Sequence, residues 1–161
     1  MSKAVLISIR PEWCEKIMTG QKTIEVRKTR PKMNPPFKCY IYRSVQGGVI
    51  GEFVCDDIFE RIVQVGTSCE TPKYCLCDWN MDCTPLDGLI ADACLTKEAL
   101  EKYLDGGIGF GWHISNLKIY DHPRDLWEFT GLREVKFGWE PVPITRPPQS
   151  WRYVEEEIWN D

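Results

Sequence analysis

The sequence predicts an α+β fold, a small mixed β-barrel flanked by two or three short helices, in a single domain over residues 1–161. Short apolar runs of strand length follow one another between turn signals. They lie at residues 4–9, 23–28, 37–42, 49–54 and 58–65. Two intervening segments carry helix start and stop signals. A chain of 161 residues is long enough to bury one compact core.

The first strand and the first helix are predicted close together at the N-terminus. Residues 4–9 are continuously apolar apart from one serine, and Pro11 follows at the position where helices favour proline. The helix is expected to extend to about residue 19, because Gly20 is suited to end it. A second strand, over 23–28, begins directly afterwards.

The middle of the chain combines a hairpin with an irregular segment. The sequence Gln46-Gly47-Gly48 separates two strand-like runs, which is a hairpin signal. Residues 66–93 have no clean period and contain four of the eight cysteines. We therefore expect a cysteine-rich insertion or long loop there.

The C-terminal half is predicted to contain one more helix and two strands. Thr96 is a favourable N-cap for a helix that continues to about Leu104. An aromatic-rich strand is expected over 109–120. Pro147 and Pro148 exclude a central strand at their own positions, so an edge strand is expected after them.

The cysteines favour reduced thiols, because the chain has no export signal. Four of them have the spacing C-x5-C-x-C-x5-C, namely Cys69, Cys75, Cys77 and Cys83. Structural zinc sites usually pair their ligands as C-x2-4-C, which this spacing does not match. An unmetallated insert is therefore favoured over a zinc site, and no cofactor is predicted.

Charge is distributed unevenly. The net charge is −4, yet residues 1–43 contain ten Lys and Arg against three Glu. The overall balance argues against a protein that coats nucleic acid nonspecifically, whereas a basic N-terminal third suits a local anionic ligand. No apolar run approaches the ~20 residues that span a bilayer, so no membrane partner and a cytoplasmic location are expected.

Residues 20–27, GQKTIEVR, form the most informative segment. In a strand, the two apolar side chains lie on one face while Glu25 and Arg27 lie on the other. Lys22 follows a flexible glycine and can reach the same face. The resulting polar cluster can bind a phosphate, a base edge or an amide. The alternative is an ordinary exposed ion pair, worth under ~1 kcal/mol.

Gly20, Lys22, Glu25 and Arg27 match the GxKxxExR signature of ASCH domains, and the chain resembles that family of the PUA-like superfamily. The stretches ISIRP at 7–11 and GWHISNLKIY at 111–120 are also similar to its prophage and bacterial members. The resemblance covers most of the chain outside 66–93. It implies a PUA-like β-barrel with a cleft beside its helices that binds RNA or nucleotides.

The leading hypothesis is thus an RNA- or nucleotide-binding domain. Lys22 and Arg27 would contact phosphate or a base carbonyl, while Glu25 would accept from an exocyclic amine or orient Arg27. Arg10, from the basic third, and Trp112, from the family-like stretch, are further ligand-binding candidates. His113 is predicted either to lie near the cleft or to hydrogen-bond a neighbour structurally.

Two other hypotheses remain open. Some ASCH members hydrolyse the acetyl amide of N4-acetylcytidine and others are associated with RNA cleavage, which implies a hydrolase using Lys22 as base or electrostatic stabiliser and Glu25 as proton relay. The amidohydrolases, however, have a threonine three residues after the lysine, where this chain has Glu25. The last hypothesis is a protein–protein adaptor in which the polar cluster has no role.

Overall fold

The structure is a computed structural model that describes residues 2–65, 73–77, 83–85 and 87–159, with side chains omitted at 61, 63–65, 73–77, 83–85 and 87. The helices are α1 (Pro11–Met18), α2 (Asp87–Asp92) and α3 (Lys97–Leu104), and a 3-10 turn spans Leu126–Glu128. The strands are β1 (Lys3–Ile9), β2 (Ile24–Arg27), β3 (Phe37–Arg43), β4 (Val49–Val65), β5 (Lys73–Cys77), β6 (Cys83–Pro85), β7 (Gly109–Arg124), β8 (Thr130–Val135), β9 (Gly138–Pro143) and β10 (Trp151–Glu155).

One mixed sheet organises these strands. Eight of them follow the order β2-β7-β4-β3-β1-β10-β8-β9, and β5 and β6 extend it from β4. The pair β1 and β3 is parallel, while the other pairs in the described residues are antiparallel. The α+β prediction is confirmed. A closed barrel is not shown: the sheet is curled, but its described end strands β2 and β9 do not pair with each other.

Strand β1 lies at the centre of the fold and is buried on both faces. Val5 and Ile7 belong to a core cluster that also contains Cys14 and Ile17 of α1. Leu6 belongs to a second cluster on the opposite face. Burial on both faces explains why β1 reads as a continuous apolar run rather than an alternating one.

Both helices predicted from end signals are confirmed. Helix α1 begins at Pro11, and Gly20 has a φ of +78° just after its end. Helix α3 is capped by Thr96, whose Oγ1 accepts a hydrogen bond from the Ala99 amide at 3.0 Å. The hairpin at Gly47 and Gly48 is also confirmed, since it joins β3 to β4.

Three features of the C-terminal half differ from the expectations. Strand β10 lies between β1 and β8, so the prediction of an edge strand was wrong. The prolines that suggested an edge precede Trp151, which leaves the backbone amides of β10 free to pair. The predicted aromatic strand continues to Arg124, and the β8–β9 hairpin had no counterpart in the sequence prediction.

The segment predicted as an insertion or long loop contains β5, β6 and α2 in its described part. Cys69 lies outside the described residues. Cys75, Cys77 and Cys83 are described only by their backbone, with Cys77 opposite Cys83 in the β5–β6 pair. The insertion and the zinc alternative therefore both stay predictions. No helix in the described parts of the chain is long and apolar enough to cross a bilayer.

Candidate functional site

A cleft of about 670 Å³ lies beside α1 and α3. It is lined by residues from the two helices, from β2, from the turn after β3 and from the segment before β10. Among its lining residues are Ser8, Arg10, Trp13, Lys22, Glu25, Arg27, Tyr42, Val45, Tyr103, Pro148 and Gln149. The volume lies within the range of roughly 300–1,000 Å³ that is typical of small-molecule sites.

Lys22 is buried in the wall of this cleft, with only 3% of its surface exposed. The chain turns back after α1, where the Lys22 amide donates to the Lys16 carbonyl at 2.9 Å. Its ammonium Nζ donates to the Ala93 carbonyl at 2.6 Å and lies 5.2 Å from the centre of the Trp13 ring. The segment that follows α2 therefore holds the ammonium in place.

Glu25 is similarly buried, yet one of its oxygens has no hydrogen-bond donor. Oε1 accepts from Arg27 Nε at 2.9 Å. Oε2 lies 3.4 Å from Lys22 Nζ, an ion-pair distance, but it has no hydrogen-bond partner. Buried polar atoms in native proteins are nearly always hydrogen-bonded. Glu25 Oε2 thus lies enclosed beside the Lys22 ammonium with unused capacity to accept a hydrogen bond.

Arg27 is occupied by the protein itself. Its Nη1 donates to Ser150 Oγ at 3.1 Å and its Nη2 to the Ser8 carbonyl at 2.6 Å. The Ser8 hydroxyl in turn donates to the Pro148 carbonyl at 2.6 Å. Arg27 thus joins β2, the end of β1 and the segment before β10, which are three parts of the cleft wall.

The alternative interpretation, an ordinary exposed ion pair, was wrong because both side chains are buried. The side chains of Arg27 and Glu25 are only 11% and 8% exposed. Breaking a buried, hydrogen-bonded ion pair costs far more than breaking one at the surface. The pair therefore fixes the local geometry of the cleft.

Aromatic side chains form another part of the wall. Trp13 of α1 and Tyr103 of α3 both line the cleft. Burial raises the pKa of the Tyr103 phenol above its ordinary value. Lys28 Nζ lies 4.9 Å from the centre of the Tyr103 ring. Such faces can stack against a planar ligand.

The other candidates from the sequence have different positions. Arg10 is exposed at the N-cap of α1 and lines the cleft. Trp112 does not line it, because it is fully buried and packs edge-on against Phe37 and Trp151. His113 is also away from the cleft lining; its Nδ1 lies 2.6 Å from an Asp56 oxygen. That hydrogen bond lowers the pKa of the Asp56 carboxyl.

Several lining residues were missed by sequence reasoning. Trp13 was assigned to the buried face of its helix, although its ring also faces the cleft. Val45 and Gln149 come from connecting segments without a binding motif, and Ala93 contributes only a backbone carbonyl. The one sequence signal for these residues was the pair of prolines before Gln149, which indicated a segment of restricted conformation. Among the described residues, no group of three or more His, Cys, Asp or Glu could hold a metal ion.

A curled mixed sheet with a charged cleft beside its helices defines the chain as a small α+β domain. The sequence profile of the ASCH domain matches residues 7–106. The chain belongs to the ASCH domain family. No curated protein sequence gives a significant match.

Solved structures share the fold of this chain. The crystal structure of ASCH from Zymomonas mobilis has a TM-score of 0.59 and 17% sequence identity, covering 95% of this chain and 88% of its own. A Tyr-to-Phe variant of that protein has a TM-score of 0.59, 16% identity and coverages of 96% and 92%. A Ser-to-Ala variant has a TM-score of 0.59 and 16% identity, covering 95% of this chain and 89% of its own. At such identity the likeness establishes the fold.

Proposed function

We propose that this chain is an RNA- or nucleotide-binding ASCH domain that takes a nucleoside unit into the cleft. The observation that carries the proposal is the Oε2 atom of Glu25, which is buried without a hydrogen-bond donor beside the Lys22 ammonium. A complementary ligand would supply that donor. The association of ASCH domains with RNA binding supports this choice of ligand.

The chemistry of the cleft suits a base with adjacent donor and acceptor atoms. Glu25 would accept from an exocyclic amine or ring N–H, and Lys22 would donate to a base carbonyl. Trp13 and Tyr103 would contact the ring, as aromatic side chains do with unpaired bases. Arg10, exposed at the same cleft, would contact a phosphate. Arg27 would position Glu25 instead of contacting the ligand.

A hydrolase acting on a modified nucleoside or on RNA is the second candidate. The separation of 3.4 Å between Lys22 Nζ and Glu25 Oε2 favours it, since an amine and a carboxylate, the groups that general acid–base catalysis uses, lie side by side in the cleft wall. Lys22 would act as base or electrostatic stabiliser. The proposal includes two further expectations. The chain is of the prophage and bacterial type within the family, and its location is cytoplasmic.

The test uses a panel of the four ribonucleoside 5′-monophosphates, N4-acetylcytidine and short single-stranded RNAs. Thermal shift and calorimetry measure binding, and mass spectrometry measures products. Glu25→Gln is expected to weaken binding by at least about tenfold, because it removes a charged acceptor. Lys22→Met combined with Glu25→Gln removes both charges of the Lys22–Glu25 pair together, so that Lys22 is not left buried without its carboxylate. Glu98→Gln and Lys102→Met, at exposed positions of α3, are the matched controls.

The outcomes separate the candidates. Binding without products that is lost in Glu25→Gln supports the binding domain. Products that disappear in the double variant indicate the hydrolase. Equal binding by the parent and Glu25→Gln would contradict the proposed site, and no binding across the panel would favour the protein adaptor.

A further inference from the structure

The turn between β3 and β4 contains a valine in a strained backbone conformation. Val45 has a φ of +68°, and the Gln46 amide donates to the Ser44 carbonyl across it at 2.7 Å. This is a γ-turn of the positive-φ type, which is rare and strained. A β-branched residue at positive φ is an outlier, because its side chain crowds its own backbone.

The side chain of Val45 gains almost no burial in return. It is 95% exposed, the highest value among the large exposed apolar residues. It nevertheless lines the cleft together with Tyr42 and Ser44. The strained backbone lowers stability, and the exposed isopropyl group contributes almost no burial to offset that cost. Folding alone therefore does not explain a valine at this position.

Hydrogen bonds on both sides fix the turn. The Ser44 amide and hydroxyl donate to the Ile9 carbonyl at 2.9 and 3.2 Å. The Gly47 amide donates to the Arg43 carbonyl at 2.8 Å. Strained residues persist where their surroundings determine the conformation, and they cluster at ligand sites. Since Ile9 directly precedes Arg10, the turn is fixed relative to the mouth of the cleft.

We propose that Val45 is a specificity-determining residue whose isopropyl group packs on an apolar face of the bound nucleoside. This inference rests on the proposed function. The apolar surface of Val45 is exposed in the free protein and is buried when the ligand fills the cleft. The fixed turn spares the complex the entropy cost of ordering a loop.

Three substitutions separate the side chain from the backbone strain. Val45→Gly removes both the side chain and the backbone strain. Val45→Asn relieves the strain and replaces the apolar surface with a polar side chain. Val45→Ala shortens the side chain while keeping a Cβ at positive φ. The matched control is Asn116→Gly. Asn116 also has positive φ, +47°, and is exposed, but it does not line the cleft.

The measurements are melting temperature and the Kd of the four ribonucleoside 5′-monophosphates and N4-acetylcytidine. Val45→Gly and Val45→Asn are expected to raise the melting temperature, whereas Val45→Ala leaves it close to the parent. All three variants are expected to bind the tightest ligand of the panel more weakly, with a roughly tenfold higher Kd for Val45→Gly. Asn116→Gly should leave Kd unchanged.

Each contrary result has a distinct meaning. If Val45→Gly keeps the parent Kd while Glu25→Gln loses binding, this inference fails and the proposed function stands. If Val45→Gly and Val45→Asn are no more stable than the parent, the strain is not real and the inference also fails. If no panel member binds the parent protein, both proposals fail together.

Discussion

At the scale of single residues, the three charged side chains of the segment 20–27 have two different roles in the cleft. Lys22 and Glu25 are buried at the wall of the cleft, and Glu25 retains an oxygen without a hydrogen-bond partner. Arg27 instead donates to Glu25, Ser8 and Ser150. Its guanidinium therefore holds the cleft wall together, while Lys22 and Glu25 form the ion pair that the proposed ligand would contact.

Replacement of Arg27 is expected to destabilise the protein strongly. Arg27→Met removes these hydrogen bonds and leaves the Glu25 carboxylate without its guanidinium partner, at a cost of about 3 kcal/mol. Urea denaturation measures the loss. The control is Arg133→Met, because the ion pair of Arg133 with Glu140 is exposed and its loss should cost under ~1 kcal/mol. Equal losses in the two variants would argue against a structural role for Arg27.

At the scale of elements, the longest strands β4 and β7 are paired along most of their lengths, with irregular register at several points. This pairing positions β2, since β2 pairs with β7 at the other edge of that strand. The position of β2 in the cleft wall thus depends on how closely the backbones of β4 and β7 approach each other. Gly51 lies at the closest approach, where an added Cβ would be 2.5 Å from the Lys118 carbonyl oxygen.

Gly51→Ala is expected to destabilise the sheet by about 3 kcal/mol, because the added methyl group overlaps backbone that cannot move alone. Gly88→Ala is the control, since no atom lies within 4 Å of a Cβ there. Alanine is the better helix former, so Gly88→Ala in α2 should be neutral or stabilising. Thermal and urea unfolding of both variants check the opposite signs. Similar destabilisation by the two would contradict this account.

Helix α3 supplies Tyr103 to the cleft and depends on its N-cap. Thr96→Ala removes the acceptor for the Ala99 amide and should cost about 1 kcal/mol. Thr96→Ser keeps the hydroxyl and should restore most of that stability. Denaturant unfolding of the two variants provides the comparison. If serine is no better than alanine, the cap contributes little to the fold.

At the scale of the whole molecule, three apolar clusters form the core around one curled sheet, and the cluster that includes Val5 and Ile7 of β1 buries three thiols. Burial raises the pKa of the Cys14 and Cys55 thiols to about 12 and also raises that of Cys39. These groups keep their protons more tightly in the folded than in the unfolded chain. Stability from this source is therefore fully present below pH ~8.5 and is lost as pH rises above it.

Two measurements follow for these thiols. The free energy of unfolding in urea should fall between about pH 8.5 and 10, as the unfolded thiols ionise before the folded ones. Iodoacetamide should label Cys14, Cys39 and Cys55 slowly in the native protein and rapidly in urea, as seen by peptide mapping. Rapid labelling of all three in the native state would show that the apolar clusters do not protect them.

The local features of this protein can be predicted from its sequence. Pro11, Thr96 and Gly47 mark α1, α3 and the hairpin because caps and turns depend on neighbouring residues. Alternation placed Glu25 and Arg27 on one face of β2, and the GxKxxExR match indicated the family. The same local signals could not show which strands meet, because pairing joins residues far apart in the chain.

The packing of distant segments determines what covers each face of the sheet and what completes the cleft. Trp112 follows the pattern of a site residue but is buried, since its strand lies inside the sheet. The partners of Arg27 at Ser150 and of Lys22 at Ala93 are 123 and 71 residues away in sequence. Alternation fixes the direction of a side chain, whereas its burial and its partners follow from the packing of distant segments.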